Sequence, residues 1–144
     1  MNERQIELVQ RSFMRFASCS VNCSTSFFLH VFSFHPELRP LFTGDIERQG
    51  IMFMKVVSMA VNSLYDMDSI LPALRELGKR HIEYGVQPHH YAAIRESFIW
   101  ILKRELAEGF TEEVEQAWGC VFDLIAVNMM GNEMEHDKAS TSSD

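Results

Sequence analysis

Apolar residues recur at three- and four-residue spacing along almost the whole chain, and no other feature restricts the possible folds as strongly. Between Glu3 and Ala17 they fall at Ile6, Val9, Phe13 and Phe16, one face of an amphipathic helix. A second apolar segment, Phe27, Phe28, Val31 and Phe32, follows polar Ser20, Asn22, Ser24 and Thr25. It ends before Pro36, because the residue preceding a proline is pushed out of helical geometry. His35-Pro36-Glu37-Leu38 predicts a short helical turn with Pro36 at its first position. Thr43-Gly44-Asp45 breaks the chain, and Asp45 is placed to cap a helix whose broad face carries Ile46, Phe53, Val56, Val57, Ala60 and Leu64. After an interruption at residues 66–69, Ile70, Leu71, Leu74 and Leu77 restart the period through His81. Gly85 ends that helix, and Pro88 opens another carrying Ile94, Phe98, Ile101 and Leu102. Gly109 breaks it in turn. Thr111 caps the last helix, with Glu112 and Glu113 against its N-terminal dipole and Val114, Trp118, Val121, Phe122 and Ile125 as its buried stripe. No segment alternates with the period of a strand. The expected class is all-α, with six long or medium helices and short ones between them.

The chain's 144 residues amount to one domain, which can bury about 68–70% of its unfolded surface without disulfide or zinc staples. We expect the folded domain to span residues 1–134, followed by a polar, frayed tail over 135–144. Thirteen Lys and Arg against twenty Asp and Glu give a net charge of −7, a field that repels nucleic acid. No apolar run reaches about 18 residues, and Arg4, Glu7, Arg11 and Arg15 interrupt the first helix, so neither a membrane span nor a signal peptide is expected. The expected location is therefore the cytoplasm. Cys19, Cys23 and Cys120 form no C-x-x-C pair and read most simply as reduced thiols. Cys19 and Cys23 stand four apart, a spacing that bridges only where the backbone is not a regular helix. The nine methionines read as adaptable core filler rather than metal ligands.

Specific segments select among all-α domains. HPELRPLF (35–42), GDIERQG (44–50), LGKRHIEYGV (77–86), HYAAIRESF (90–98) and GFTEEVEQAW (109–118) contain Pro36, Phe42, Gln49, His81 and Trp118 in a fixed order and spacing. In these segments, and from residue 3 to about 130, the chain resembles the globin family, in particular single-domain bacterial haemoglobins and the globin domains of flavohaemoglobins. The resemblance implies helices packed three-over-three around haem b (iron protoporphyrin IX). It also implies His81 as the iron ligand, a role that suits a neutral imidazole at the end of a helix with an apolar stripe. Phe42 matches the aromatic stacked on the porphyrin, and flat apolar walls are what a macrocycle needs. Gln49 matches the distal position thirty-two residues before His81, where its amide can donate to bound dioxygen.

The same pattern places Phe28, Phe53 and Val86 against the cofactor. At Phe28 the sequence departs from dioxygenase-type bacterial haemoglobins, which usually carry a tyrosine there. Without that hydroxyl, faster oxygen release is expected. Tyr91 and Glu133 match a tyrosine and a glutamate found near the proximal imidazole, where a carboxylate accepting the ring's second N–H raises its basicity. Glu133 can equally be a solvated charge, since Gly131-Asn132 is a plausible helix end. Arg48, Lys79 and Arg80 suit either haem propionates or plain solvent.

The first function implied is reversible dioxygen binding, for storage or delivery, with carbon monoxide and nitric oxide as further ligands. The alternatives are nitric oxide dioxygenation or peroxidase-like activity, and a gas or redox sensor module. Since 144 residues hold no flavin domain, dioxygenation would need a separate reductase. A monomer or weak homodimer is expected.

Overall fold

The computed structural model describes residues 1–17 and 20–131. Six α-helices dominate: α1 (Glu3–Ala17), α2 (Ser20–Phe34), α3 (Ile46–Asn62), α4 (Leu71–Glu83), α5 (Pro88–Leu106) and α6 (Glu112–Met129). Short 3₁₀ turns lie at Pro36–Leu41, Met67–Ser69 and Ala107–Gly109. No strand occurs among the described residues, and no helix among them is long and apolar enough to cross a membrane. The helices form two layers, α1, α3 and α4 over α2, α5 and α6. Across the layers α1 packs on α6, α3 on α2, and α4 on α6.

Local chemistry starts and stops these helices much as the sequence requires. The Asp45 carboxylate accepts from the Glu47 N–H at 3.0 Å, and the Thr111 hydroxyl accepts from the Val114 N–H at 3.2 Å. Pro36 and Pro88 occupy first-turn positions where no N–H is needed. Gly85 takes φ +91° just beyond α4, a left-handed conformation that glycine adopts without steric cost. Two boundaries differ from the sequence reading. The polar stretch preceding the apolar run of α2 is itself helical from Ser20. And α5 closes at Ala107, which takes φ +47° and ψ −114°, two residues before the glycine that marked the break in the sequence.

The core is aromatic and centred on Phe98 of α5. Its ring meets Phe16 of α1 at 5.3 Å, Phe53 of α3 at 5.8 Å, and Trp118 and Phe122 of α6 at 5.4 and 4.9 Å between centroids. The tilted and edge-on geometries are those that aromatic quadrupoles favour. Burying Trp118 also buries its indole N–H, which donates to the Ser12 hydroxyl of α1 at 2.8 Å. That hydroxyl lies 2.7 Å from the Leu8 carbonyl, so the buried polar atoms are satisfied in series. All five residues of the stripe read from the sequence of α6 are buried.

The reading of all three cysteines as reduced thiols is corrected for Cys23. It is buried in the first turn of α2 and disulfide-bonded, whereas Cys120 is free. Cys19, Glu133 and the polar tail over 135–144 lie outside the described residues.

Ala107 is exposed and holds a backbone conformation that costs an L-residue about 1–2 kcal/mol. Ala107→Gly removes that strain without loss of packing. We expect a stability gain of about 1 kcal/mol after the extra chain entropy of glycine, seen as a thermal midpoint raised by roughly 3–4 °C. An unchanged or lowered midpoint would show that the turn is unstrained.

Candidate functional site

His81 stands in the last turn of α4, and a close helix crossing sets its position. Gly78, three residues earlier, is buried against α6, and a Cβ built on it would run into the backbone carbonyl of Met129. The two helices therefore meet backbone to backbone, which fixes α4 on α6 one helical turn below the imidazole. The His81 ring is half-buried, with Nδ1 2.8 Å from the Leu77 carbonyl. A carbonyl only accepts, so Nδ1 carries the proton and Nε2 of the neutral ring keeps its lone pair. Burial pushes the His81 pKa below its ordinary value, opposed by the Leu77 hydrogen bond, so the neutral form is favoured.

A wall of phenylalanines forms where α2, α3 and the turn at Pro36–Leu41 converge. Phe28 is fully buried, with its ring 5.1 Å from Phe42 and 5.8 Å from Phe32. Phe27 links it to Phe53, meeting Phe28 edge-on at 5.0 Å and stacking on Phe53 at 4.8 Å. Behind Phe53 a narrow apolar void, too small to admit water, runs between Phe16, Phe27 and Phe98. Phe42 is half-buried, and its carbonyl accepts from the Arg39 guanidinium at 2.9 Å. The structure thus joins Phe28, Phe42 and Phe53 in one continuous cluster.

Gln49 lies at the edge of this cluster, half-exposed in the first turn of α3. Its side-chain amide donates to the Thr43 carbonyl at 3.0 Å. Beside it, Gly50 lets α3 close on α2: an added Cβ would sit 2.8 Å from Ser24 Cβ and 3.6 Å from the Phe28 ring. Val86 is half-buried beyond the end of α4, its N–H donating to the His81 carbonyl at 2.9 Å. Tyr91 is half-buried in the first turn of α5, packed against the core. Arg48, Lys79 and Arg80 are exposed. Glu133, the other proposed proximal partner, is outside the described residues.

These residues suit a haem. A fixed imidazole with a free Nε2 lone pair is a fitting donor for iron, and the half-buried Phe42 offers a flat apolar face. The helices carrying Gln49 and His81 also turn Ile51, Met52, Ile82 and Tyr84 toward solvent, apolar surface of the kind a macrocycle covers. Reasoning from the sequence missed the Leu77 carbonyl and the two glycines. An isolated glycine inside a helical period is the signal that would have pointed to Gly50 and Gly78.

Two outcomes are expected. Gly78→Ala forces α4 away from α6 and costs about 3 kcal/mol by overpacking, measured by urea unfolding; a loss below about 0.5 kcal/mol would place it among ordinary surface substitutions. The second concerns pH. A lowered histidine pKa means the unfolded chain binds more protons, so stability is intact above the ordinary value of 6.5 and falls as the pH drops below it. In the haem-free protein, His81→Gln should therefore shrink the loss of stability between about pH 7 and pH 5.5. An unchanged loss would mean that His81 titrates alike in both states.

The sequence model described as Globin matches residues 25–129. A flavohemoprotein of Bacillus thuringiensis subsp. konkukian is 27% identical over 138 residues, covering 94% of this chain and 34% of its own length. Neuroglobin of Tetraodon nigroviridis is 24% identical and is covered over 90% of both chains. The chain thus spans about a third of the length of the flavohemoproteins it matches. Among solved structures, an engineered carbene transferase made from a Rhodothermus marinus protein described as a nitric oxide dioxygenase superposes with TM-score 0.83 at 25% identity, over 98% of this chain and 99% of that one. A hexacoordinated haem protein from an anhydrobiotic tardigrade superposes with TM-score 0.80 at 17% identity, over 90% and 92% of the two chains. With the two-layer helical fold, the placement of His81 and a family match over most of its length, the chain belongs to the globin family.

Proposed function

We propose that the chain is a haem-b globin that binds dioxygen reversibly, with His81 as the protein ligand. The observation that carries this reading is the His81 ring itself, held at Nδ1 by the Leu77 carbonyl and neutral, so that Nε2 is available without a proton having to leave. When bound, ferrous haem supplies an iron coordination position for a diatomic gas.

Everything else falls to the chain's own groups. Leu77 fixes the tautomer and plane of the imidazole, a role that outer partners of ligating histidines commonly fill. Phe42 and Phe28 close the distal side to water, and Phe53 backs them through Phe27. Excluding water protects a ferrous centre from proton-assisted oxidation. Gln49 is the polar group at the edge of this wall. To donate into the distal space its amide either uses its second N–H or leaves the Thr43 carbonyl. Phe28 offers no hydroxyl, so a ligand there depends on Gln49 alone among the matched positions.

The ferrous protein should bind dioxygen and carbon monoxide reversibly, with separate Soret maxima for each. Phe28→Tyr adds a buried donor to the distal side, and we expect oxygen to dissociate about tenfold more slowly, equivalent to one neutral hydrogen bond of about 1.4 kcal/mol. Stopped-flow displacement by carbon monoxide measures the rate. An unchanged rate would mean that position 28 does not face the ligand.

Nitric oxide dioxygenation is the second reading, supported by the similarity to flavohemoproteins and to the Rhodothermus marinus protein. It requires electrons from a reductase, and sustained nitric oxide consumption on adding one would favour it over oxygen binding.

A further inference from the structure

On the side of the molecule formed by α2 and α5, three rings and a cation are stacked at the surface. His30 lies between Phe34, at 4.4 Å and 29°, and Trp100, at 4.3 Å and 25°. The Arg104 guanidinium covers the Trp100 ring from 5.2 Å. His30 itself is buried and anchored, Nδ1 to the Ser97 hydroxyl at 2.8 Å, which locks the stack in place. Its outer members are not buried: Phe34 is 65% exposed, Trp100 40%, and neighbouring Leu29 on α2 63%. Single exposed apolar residues are ordinary, but rings in mutual contact form a continuous ridge. Trp and Arg, its central members on α5, are the residue types that most often anchor protein interfaces.

Charge along α5 indicates what the ridge fits. Glu96, Trp100 and Arg104 follow at four-residue spacing, so acid, indole and base form one exposed stripe. Its ends are about 12 Å apart, too far to neutralise one another. Glu96 instead accepts from His35 Nε2 at 3.1 Å, and Arg104, lying over Trp100, pairs with its own neighbour Glu105. A two-fold axis through Trp100 sets a second α5 antiparallel to the first. Each Glu96 then faces the other copy's Arg104, and the two indoles meet at the centre. A self-complementary stripe of this kind is what an isologous interface requires.

We propose that the α2–α5 face is a homodimer surface, in which Trp100 and Phe34 supply the apolar contact and Glu96 and Arg104 pair reciprocally between copies. The proposal is independent of whether haem or any gas is bound.

Sedimentation velocity of the haem-loaded protein tests it, from about 5 to 500 μM at an ionic strength of about 0.1 M. We expect a concentration-dependent monomer–dimer equilibrium. Glu96→Arg and Arg104→Glu should each weaken it by about tenfold or more, because like charges then face each other across the axis. Combined, the two substitutions should restore dimerisation to within about threefold of the unmodified chain, since every charge again meets its opposite. Within one molecule the two residues are too far apart for such rescue to be internal. Both side chains are exposed, and circular dichroism confirms that the variants keep their helices. A chain that stays monomeric throughout overturns the proposal. So does a dimer indifferent to the single swaps, or a double variant as weak as either single one.

Discussion

Two helices can meet backbone to backbone only where one of them presents no Cβ. At Gly78 the added atom would fall on the Met129 carbonyl, so α4 owes its position to a missing side chain. His81 stands one turn further on, and its Nδ1 bond to Leu77 is internal to the same helix. Whatever seats α4 therefore seats the imidazole and sets its tautomer at once. Gly50 repeats the device on the other side, letting α3 close on α2 at Ser24 and bringing Gln49 to the edge of the phenylalanine wall. Glycine costs helix stability, roughly 0.5–1 kcal/mol relative to alanine, and at these two positions the cost is offset by close packing.

Water exclusion and polarity are balanced differently on the two sides of the site. Phe28, Phe42 and Phe53, linked through Phe27, make an apolar wall with the Gln49 amide at its rim. The proximal side carries a fixed neutral donor whose pKa burial lowers. Under the proposed function this distribution would serve a ferrous haem, with a fixed imidazole on one side and an apolar wall rimmed by the Gln49 amide on the other.

Much of this was legible in the sequence because it follows from periodicity and punctuation. The stripes on α1 and α6, the caps Asp45 and Thr111, and Pro36 and Pro88 at first-turn positions depend on local chemistry. The closure of α5 was not legible, because Ala107 holds a conformation that glycine prefers and Gly109 two residues later drew the boundary. The disulfide at Cys23 was not legible either, since three cysteines without a C-x-x-C pair do not announce a bridge. At the site, His81, Phe42 and Gln49 were found through a resemblance rather than through period or spacing. The carbonyls that orient them, from Leu77 and Thr43, are backbone groups that any residue type supplies, so no sequence letter announces them. The stacked ridge of Phe34, His30 and Trp100 joins two helices far apart in the chain and appears only once they are packed.

Replacing the His81 ring with a cavity tests directly the proposed role of Nε2 as the iron ligand. In His81→Gly the helix and its crossing at Gly78 remain, while the imidazole is gone. The ferrous haem spectrum of this variant should lose the signature of histidine ligation, and added free imidazole should restore it. A His81→Gly spectrum identical to that of the unmodified protein, and indifferent to imidazole, would contradict that role.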